Sequence, residues 1–211
     1  MTRAKWTGLL VLVATTLSTF PGASPWIPVP LVSQAASYSC GPAALLSVVR
    51  YFGDDVLHES DLYALADTTE KDGTEPEGLA RAATRLGFRA EVARFLNIDD
   101  LREHVRAGRG VILNIQAWPD KPGEIDWASE WESGHYVVVT HIDGSIATVM
   151  DPSLTHGYGF VSLDELVARW HDYESRNGVR QENHRLAVLI ERPSDASTPL
   201  RPFPEAPVHV E

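Results

Sequence analysis

The sequence predicts an α+β fold of two unlike halves, a helical N-terminal half and an antiparallel β-sheet C-terminal half. Helical apolar spacing with glycine stops recurs between Cys40 and Gly108, whereas Val- and Ile-rich runs dominate from Val111 onward. The 211 residues, 44% of them apolar, suffice for one domain with a sizeable core.

Arg3 and Lys5 precede an apolar run from Leu9 to Leu17 that holds no acidic residue. This reads as an export signal over residues 1–24, cleaved or kept as an anchor. The run is shorter than the roughly 20 apolar residues a membrane span needs, so no stable membrane insertion is expected beyond this segment. The domain itself is expected over 25–191. Its first residues, PWIPVPLVS, hold three prolines and read as extended chain. A helix follows from Cys40 to Phe52, with Leu45, Val48, Val49 and Phe52 on one stripe, Pro42 in the first turn and Gly53 as stop. Further helices are expected over Ser60–Ala66, Pro76–Leu86 (closed by Gly87) and Ile98–Ala107 (capped by Asn97 or Asp99). Strands are expected over Val111–Ala117, Tyr136–His141, Ile146–Met150 and Leu186–Ile190. Ser162-Leu163-Asp164-Glu165 reads as a capping box opening a helix to about His171. Five prolines after Arg192 mark residues 192–211 as a disordered tail.

The net charge is -11 and the mean hydropathy -0.15. Removing residues 1–24 leaves 16 basic against 29 acidic side chains, a charge of -13. A chain this acidic excludes nucleic acid as a partner, because phosphate contacts need clustered Lys and Arg. The lone cysteine, Cys40, excludes an internal disulfide, a Cys-rich zinc site and a Cys-x-x-Cys redox pair.

Cys40 stands at a helix start, where unpaired backbone N–H groups and the helix dipole favour a thiolate. Gly41 would let a substrate backbone approach, and the Cys40 N–H could face a developing oxyanion. A small core cysteine packed under Leu45 is the competing reading. A nucleophilic thiol needs a base, and the base an orienter. Of the eight histidines, His135 follows Gly134 and opens a strand that turns at Asp143-Gly144 and returns to Asp151-Pro152. A two-residue loop at Asp143-Gly144 would set His135 opposite Pro152. A three-residue loop, Ile142-Asp143-Gly144, would set it directly opposite Asp151 on one face, within imidazole–carboxylate reach. Asp151-Pro152 as a mere turn starter is the alternative. His141 shares the face of His135 at alternate spacing, but no third ligand has convincing spacing, so no metal is expected.

Gln34, then Cys40-Gly41-Pro42-Ala43-Ala44, the helix end Tyr51-Phe52-Gly53, then Gly134-His135-Tyr136-Val137-Val138-Val139 and Met150-Asp151-Pro152 resemble the bacteriocin-processing, double-glycine cysteine peptidases. The resemblance runs from about Ser33 to Trp170 and implies a papain-like fold. It implies Cys40 as nucleophile, His135 as general base and acid, Asp151 as orienter of His135, and Gln34 as a side-chain donor to the oxyanion hole. It implies acyl transfer through a thioester resolved by water, on a peptide or protein substrate, with no cofactor. Ser39 stands where the family often has Asp. The sequence has no Walker-type glycine loop, so a stand-alone exported member without a transporter domain is expected, periplasmic or extracellular.

Residues 118–134, WPDKPGEIDWASEWESG, directly precede His135 and set Trp118, Trp127 and Trp131 among five acidic residues and one lysine. Such a loop is expected to wall a substrate cleft and favour basic or aromatic peptides, with Trp127 and Trp131 beside Gly41 and Gly134 as substrate-binding residues; a solvated surface loop is the alternative. Two other functions use the same residues: an acyl or peptidyl transferase acting through the same thiol, and a non-catalytic peptide-binding module.

Overall fold

Helix α1 (Cys40–Tyr51) is apolar almost all round and correspondingly buried on nearly every side. Pro42 costs it no hydrogen bond, since a helix's first N–H groups have no partner within it. Gly53 takes the left-handed φ of 101° that ends the helix. The computed structural model describes residues 26–120, 123–176 and 178–193. Among these, α2 (Glu59–Leu65), α3 (Pro76–Arg85), β1 (Arg89–Ala93) and α4 (Ile98–Arg106) follow α1. Then come β2 (Gly110–Gln116), β3 (Gly134–Asp143), β4 (Ile146–Met150), β5 (Gly159–Ser162), α5 (Leu163–Arg169), β6 (His171–Arg176), β7 (Val179–His184) and β8 (Ala187–Glu191).

The main sheet has the order β1-β8-β2-β3-β4-β5, every pair antiparallel, and β6 with β7 forms a separate hairpin. The expected α+β class and its helices-then-sheet order are therefore observed. Every residue of the central strand β2 is buried. α1 packs on β3, and α3 on β1 and β8. α1 also comes close to β2 at Gly110, where a Cβ would lie 2.3 Å from Val48 Cγ1. Asn97 is the α4 cap, accepting from the N–H groups of Asp99 and Asp100.

Residues 26–34 cross the molecule in extended form. Ile27 N–H donates to Thr140 O, Tyr158 Oη–H to Val29 O, Ser47 Oγ–H to Pro30 O, and Gln34 N–H to Pro152 O. This lacing brings Gln34 to the loop that carries Asp151.

Four expectations need correction. The β3–β4 turn is centred on Gly144-Ser145, with Gly144 at φ 52°, and Asp143 pairs with Ile146, so neither proposed register occurs. A bulge at Thr140 then resets the pairing to Val139↔Val149 and Val138↔Met150. The bulge also breaks the alternation that placed His141 on the face of His135; His141 stacks on Trp26, ring centroids 5.3 Å apart. Ser162 caps α5 by accepting from Glu165 N–H, but the Glu165 carboxylate is taken by Arg169, and the helix ends there, so His171 begins β6. Strands β1, β5, β6 and β7 were not foreseen, being short or polar. The expected signal over 1–24 lies outside the described residues, and of the expected tail only Arg192 and Pro193 are described.

Candidate active site

Cys40 is the first residue of α1 and half-buried. Ser39 before it does not cap the helix. Its hydroxyl instead accepts from Ala36 N–H and donates to Ala36 O, tightening the turn that delivers Cys40. His135 is buried at the start of β3, paired across to Ile115 of β2. Its Nε2–H donates to Asp151 Oδ1 at 2.7 Å. A carboxylate only accepts, so the proton on that nitrogen is defined and Nδ1 is left for Cys40. Burial opposes the charged imidazolium. The hydrogen bond and charge of Asp151, together with those of Cys40, outweigh burial and raise the His135 pKa to about 9.

Asp151 follows β4. Burial pushes its carboxyl upward, but His135 as hydrogen-bond donor and positive charge, the Ser153 N–H and the Trp118 indole together hold it below the usual carboxylate range. Ser153 N–H donates to Oδ1 at 2.8 Å and Trp118 Nε1–H to Oδ2 at 3.0 Å. Gln34 donates from Nε2 to Ala36 O at 2.8 Å, and its Oε1 accepts from Ser153 Oγ–H at 3.2 Å. One N–H of the Gln34 amide is thus used locally and one remains.

Cys40, Gly134 and Trp131 line a cavity of about 780 Å³. Its walls carry the carboxylates of Glu70, Asp72, Glu75, Glu132, Asp172 and Glu174 against one lysine, Lys71, which lies 3.3 Å from Asp72. Gly134 must be glycine for space: a Cβ there would lie 2.3 Å from Asp172 Oδ2. Asp172 in turn accepts from Asn114 and Gln116 of β2 and from its neighbour's N–H on Tyr173, fastening β6 to the main sheet. Burial is the largest influence on Asp172 and raises its pKa above the usual carboxylate range.

Two expected substrate residues, Gly41 and Trp127, are not in the lining of this cavity. Gly41 is buried, and a Cβ on it would press on Thr74 Cβ at 3.1 Å and Tyr136 Cδ2 at 3.3 Å. Its smallness serves the close approach of α1 to Thr74 and Tyr136, which themselves line the thiol cavity. Trp127 lines a different cavity of about 480 Å³, which Trp118 and Asp151 share, and carries the Arg169 guanidinium on its ring at 3.4 Å. The 118–134 loop is thus split: Trp131, Glu132 and Gly134 face the thiol cavity, and Trp118 and Trp127 face the other. Among the described residues no cluster of three or more His, Cys, Asp or Glu side chains could hold a metal.

Sequence reading missed Ser153 and Asp172, and named Trp118 only as aromatic surface of the 118–134 loop. Ser153 was legible, since an aspartate accepting from the N–H two residues on is a common local turn. Trp118 and Asp172 reach the site through tertiary contacts that no local pattern announces.

A helical half carrying a thiol at a helix start, and an antiparallel half carrying an imidazole–carboxylate pair, define the class of cysteine-type peptidases. Residues 28–174 match the Peptidase C39 family, and the chain belongs to that family, the double-glycine bacteriocin-processing peptidases. The fold resembles the peptidase domain of Streptococcus ComA, a bi-functional ABC transporter of a quorum-sensing pathway (TM-score 0.52, 22% identity, 77% of this chain and 98% of that one). It also resembles a C39-like peptidase from Bacillus anthracis (TM-score 0.58, 16% identity, 82% of this chain and 100% of that one). A third likeness is to a double-glycine-motif protease of an AMS/PCAT transporter in complex with its leader peptide (TM-score 0.54, 16% identity, 80% of this chain and 95% of that one). In sequence the chain is 34% identical to an uncharacterized protein of Methanothermobacter thermautotrophicus over 124 residues, 59% of this chain and 72% of that one.

Proposed function

We propose that the protein is an exported peptidase that cleaves peptide bonds through Cys40, His135 and Asp151. The observation that carries this reading is the buried His135, whose Nε2–H donates to Asp151 Oδ1 at 2.7 Å and whose Nδ1 is left for Cys40; against the effect of burial, these two partners raise its pKa to about 9. An imidazolium beside a thiolate can donate its proton as soon as the thiolate attacks.

The Cys40 sulfur bonds to the scissile carbonyl carbon. The charge that develops on the carbonyl oxygen is met by the Cys40 N–H, in the uncapped first turn of α1, and by the remaining Gln34 amide N–H. The C–N bond then breaks, the His135 proton passes to the leaving amine, and a thioester remains. Water adds to the thioester carbonyl, His135 takes the water's proton, and the new carboxyl end departs as the Cys40–carbon bond breaks. Asp151 keeps the imidazole oriented throughout and stays ionised. The peptide lies in the acidic cavity against Trp131 and Gly134. The basic start and apolar run before residue 25 support export to a periplasmic or extracellular location.

The test compares peptides released from a secreted proteome by the wild type and by Cys40→Ala, alongside iodoacetamide alkylation of Cys40 at pH 6 with and without His135→Ala. Peptides sharing one cleavage context, lost in Cys40→Ala, together with alkylation that slows in His135→Ala, support the reading. Slow alkylation independent of His135 overturns it.

A further inference from the structure

Asp151 is gripped on both oxygens, and the grip on Oδ2 comes from a residue without a role in the Cys40–His135–Asp151 reading. The backbone leaves β2 at Ala117, whose N–H still pairs with Ser133 O, so Trp118 is the first residue free of the sheet. It has a φ of 58°, a left-handed conformation that bulky side chains rarely adopt. The residue is 58% exposed, so burial gives this conformation little compensation. What the turn achieves is contact: the indole Nε1–H lies 3.0 Å from Asp151 Oδ2. Oδ1 is already shared by His135 Nε2–H and Ser153 N–H. A carboxylate held at one oxygen can still swivel about its Cβ–Cγ bond. Held at both, its plane is fixed, and with it the plane of the imidazole. The other charged groups lining the cavity on this side, Glu165 and Arg169, are paired with each other and so do not compete for Oδ2.

We propose that Trp118 is a positioning residue for the peptidase reaction, acting through Asp151 to orient His135 toward Cys40. The proposal rests on the Cys40–His135–Asp151 reading. The donor is the indole N–H and not the aromatic surface, and this distinction makes the proposal testable without a known substrate.

The experiment measures iodoacetamide alkylation of Cys40 in the full-length protein at pH 6 and pH 10. Wild type, Trp118→Phe, Trp118→His, Asp151→Asn and the Trp118→Phe/Asp151→Asn double variant are compared, each checked by circular dichroism to be folded at both pH values. At pH 6 alkylation depends on an oriented imidazolium; pH 10 lies above the His135 value of about 9, so no imidazolium is there to orient. Trp118→Phe keeps the ring and loses the donor, so the pH 6 rate falls roughly tenfold, the scale of one hydrogen bond to a charged group, while the pH 10 rate stays within about twofold. Trp118→His restores an N–H and recovers most of the loss. In the Asp151→Asn background Trp118→Phe has no further effect, since both act on one interaction. A wild-type rate in Trp118→Phe, no recovery in Trp118→His, or fully additive losses in the double variant overturns the proposal. If wild-type alkylation itself ignores His135→Ala, the peptidase reading has failed and Trp118 with it. If only the Trp118 variants behave like wild type, that reading stands and Trp118 alone is removed.

Discussion

Replacing Asp151 by Asn tests the electrostatics of the site directly. The His135 pKa rises from 6.5 to about 9, which corresponds to about 3 kcal/mol in favour of the charged ring. Burial acts in the opposite direction, so Asp151 and Cys40 together contribute more than this net amount. Asparagine keeps one acceptor oxygen for His135 and Ser153 but removes the charge, and its amide presents a donor to the Trp118 N–H. With one of two favourable partners neutralised, the His135 pKa should fall by at least about one pH unit, the lower end of the effect of an adjacent opposite charge. The assay is an NMR titration of the His135 ring in both proteins, with denaturant unfolding at matched pH values. The sign follows from linkage. A group whose folded pKa exceeds its unfolded one contributes fully below the unfolded value, near 6.5, and the contribution is lost as pH rises through the folded value. The wild type should therefore lose stability between pH 6.5 and about 9, and Asp151→Asn should lose less. Asp151 has the opposite sense: its carboxyl is held low, so its contribution fades on acidification, and the variant should be less acid-sensitive. An unchanged His135 midpoint in Asp151→Asn, with the same alkaline loss of stability, would refute the reasoning.

Two further outcomes follow from packing and charge. Gly78→Ala places a Cβ 2.2 Å from Ala66 O, backbone that cannot rotate away; α3 must shift from the end of α2, and the variant should unfold with a loss of about 1–3 kcal/mol by chemical denaturation. The carboxylates around Cys40 should favour peptides carrying Lys or Arg over Ala-substituted versions, with an advantage that shrinks as salt is added. Equal cleavage of both peptides at low salt would rule out that preference, and Glu132→Gln should weaken it.

Much of the fold was legible because it is local. The stripe of Leu45, Val48 and Val49, the cap at Asn97 and the stops at Gly53, Gly87 and Gly108 lie within single elements, and the structure places helices there. Strands β2, β3, β4 and β8 of the main sheet were visible as Val, Ile and Leu runs. The unforeseen hairpin, HDYESR with VRQENH, has no such run. It is held by polar bonds from Asn114 and Gln116 to Asp172, which lies 56 residues along the chain from Gln116. Buried polar side chains on a central strand must find partners somewhere, but sequence does not say where. Gly41 is ambiguous in sequence for the related reason that a glycine at a helix start suits a close-approaching substrate and a close-approaching neighbour equally well.

The His135–Asp151 pair came together although both expected registers were wrong, and parity explains why. In an antiparallel pair, residues share a face only when their number sum has the parity of the register sum. The turn at Gly144-Ser145 sets an odd sum, as Asp143↔Ile146 shows, which would send His135 and Asp151 to opposite faces. The bulge between Val139 and His141 takes up one residue, and the pairs beyond it, Val139↔Val149 and Val138↔Met150, have an even sum. Continued one step, that register sets Asp151 across from Val137 and makes His135 its diagonal neighbour on one face, a separation long side chains span. The extra residue, Thr140, is held on both sides: its carbonyl accepts from Ile27 N–H at 2.8 Å and its hydroxyl donates to Thr148 O at 3.0 Å. The extended segment that delivers Gln34 to the Asp151 loop therefore also pins the bulge that lets His135 meet Asp151.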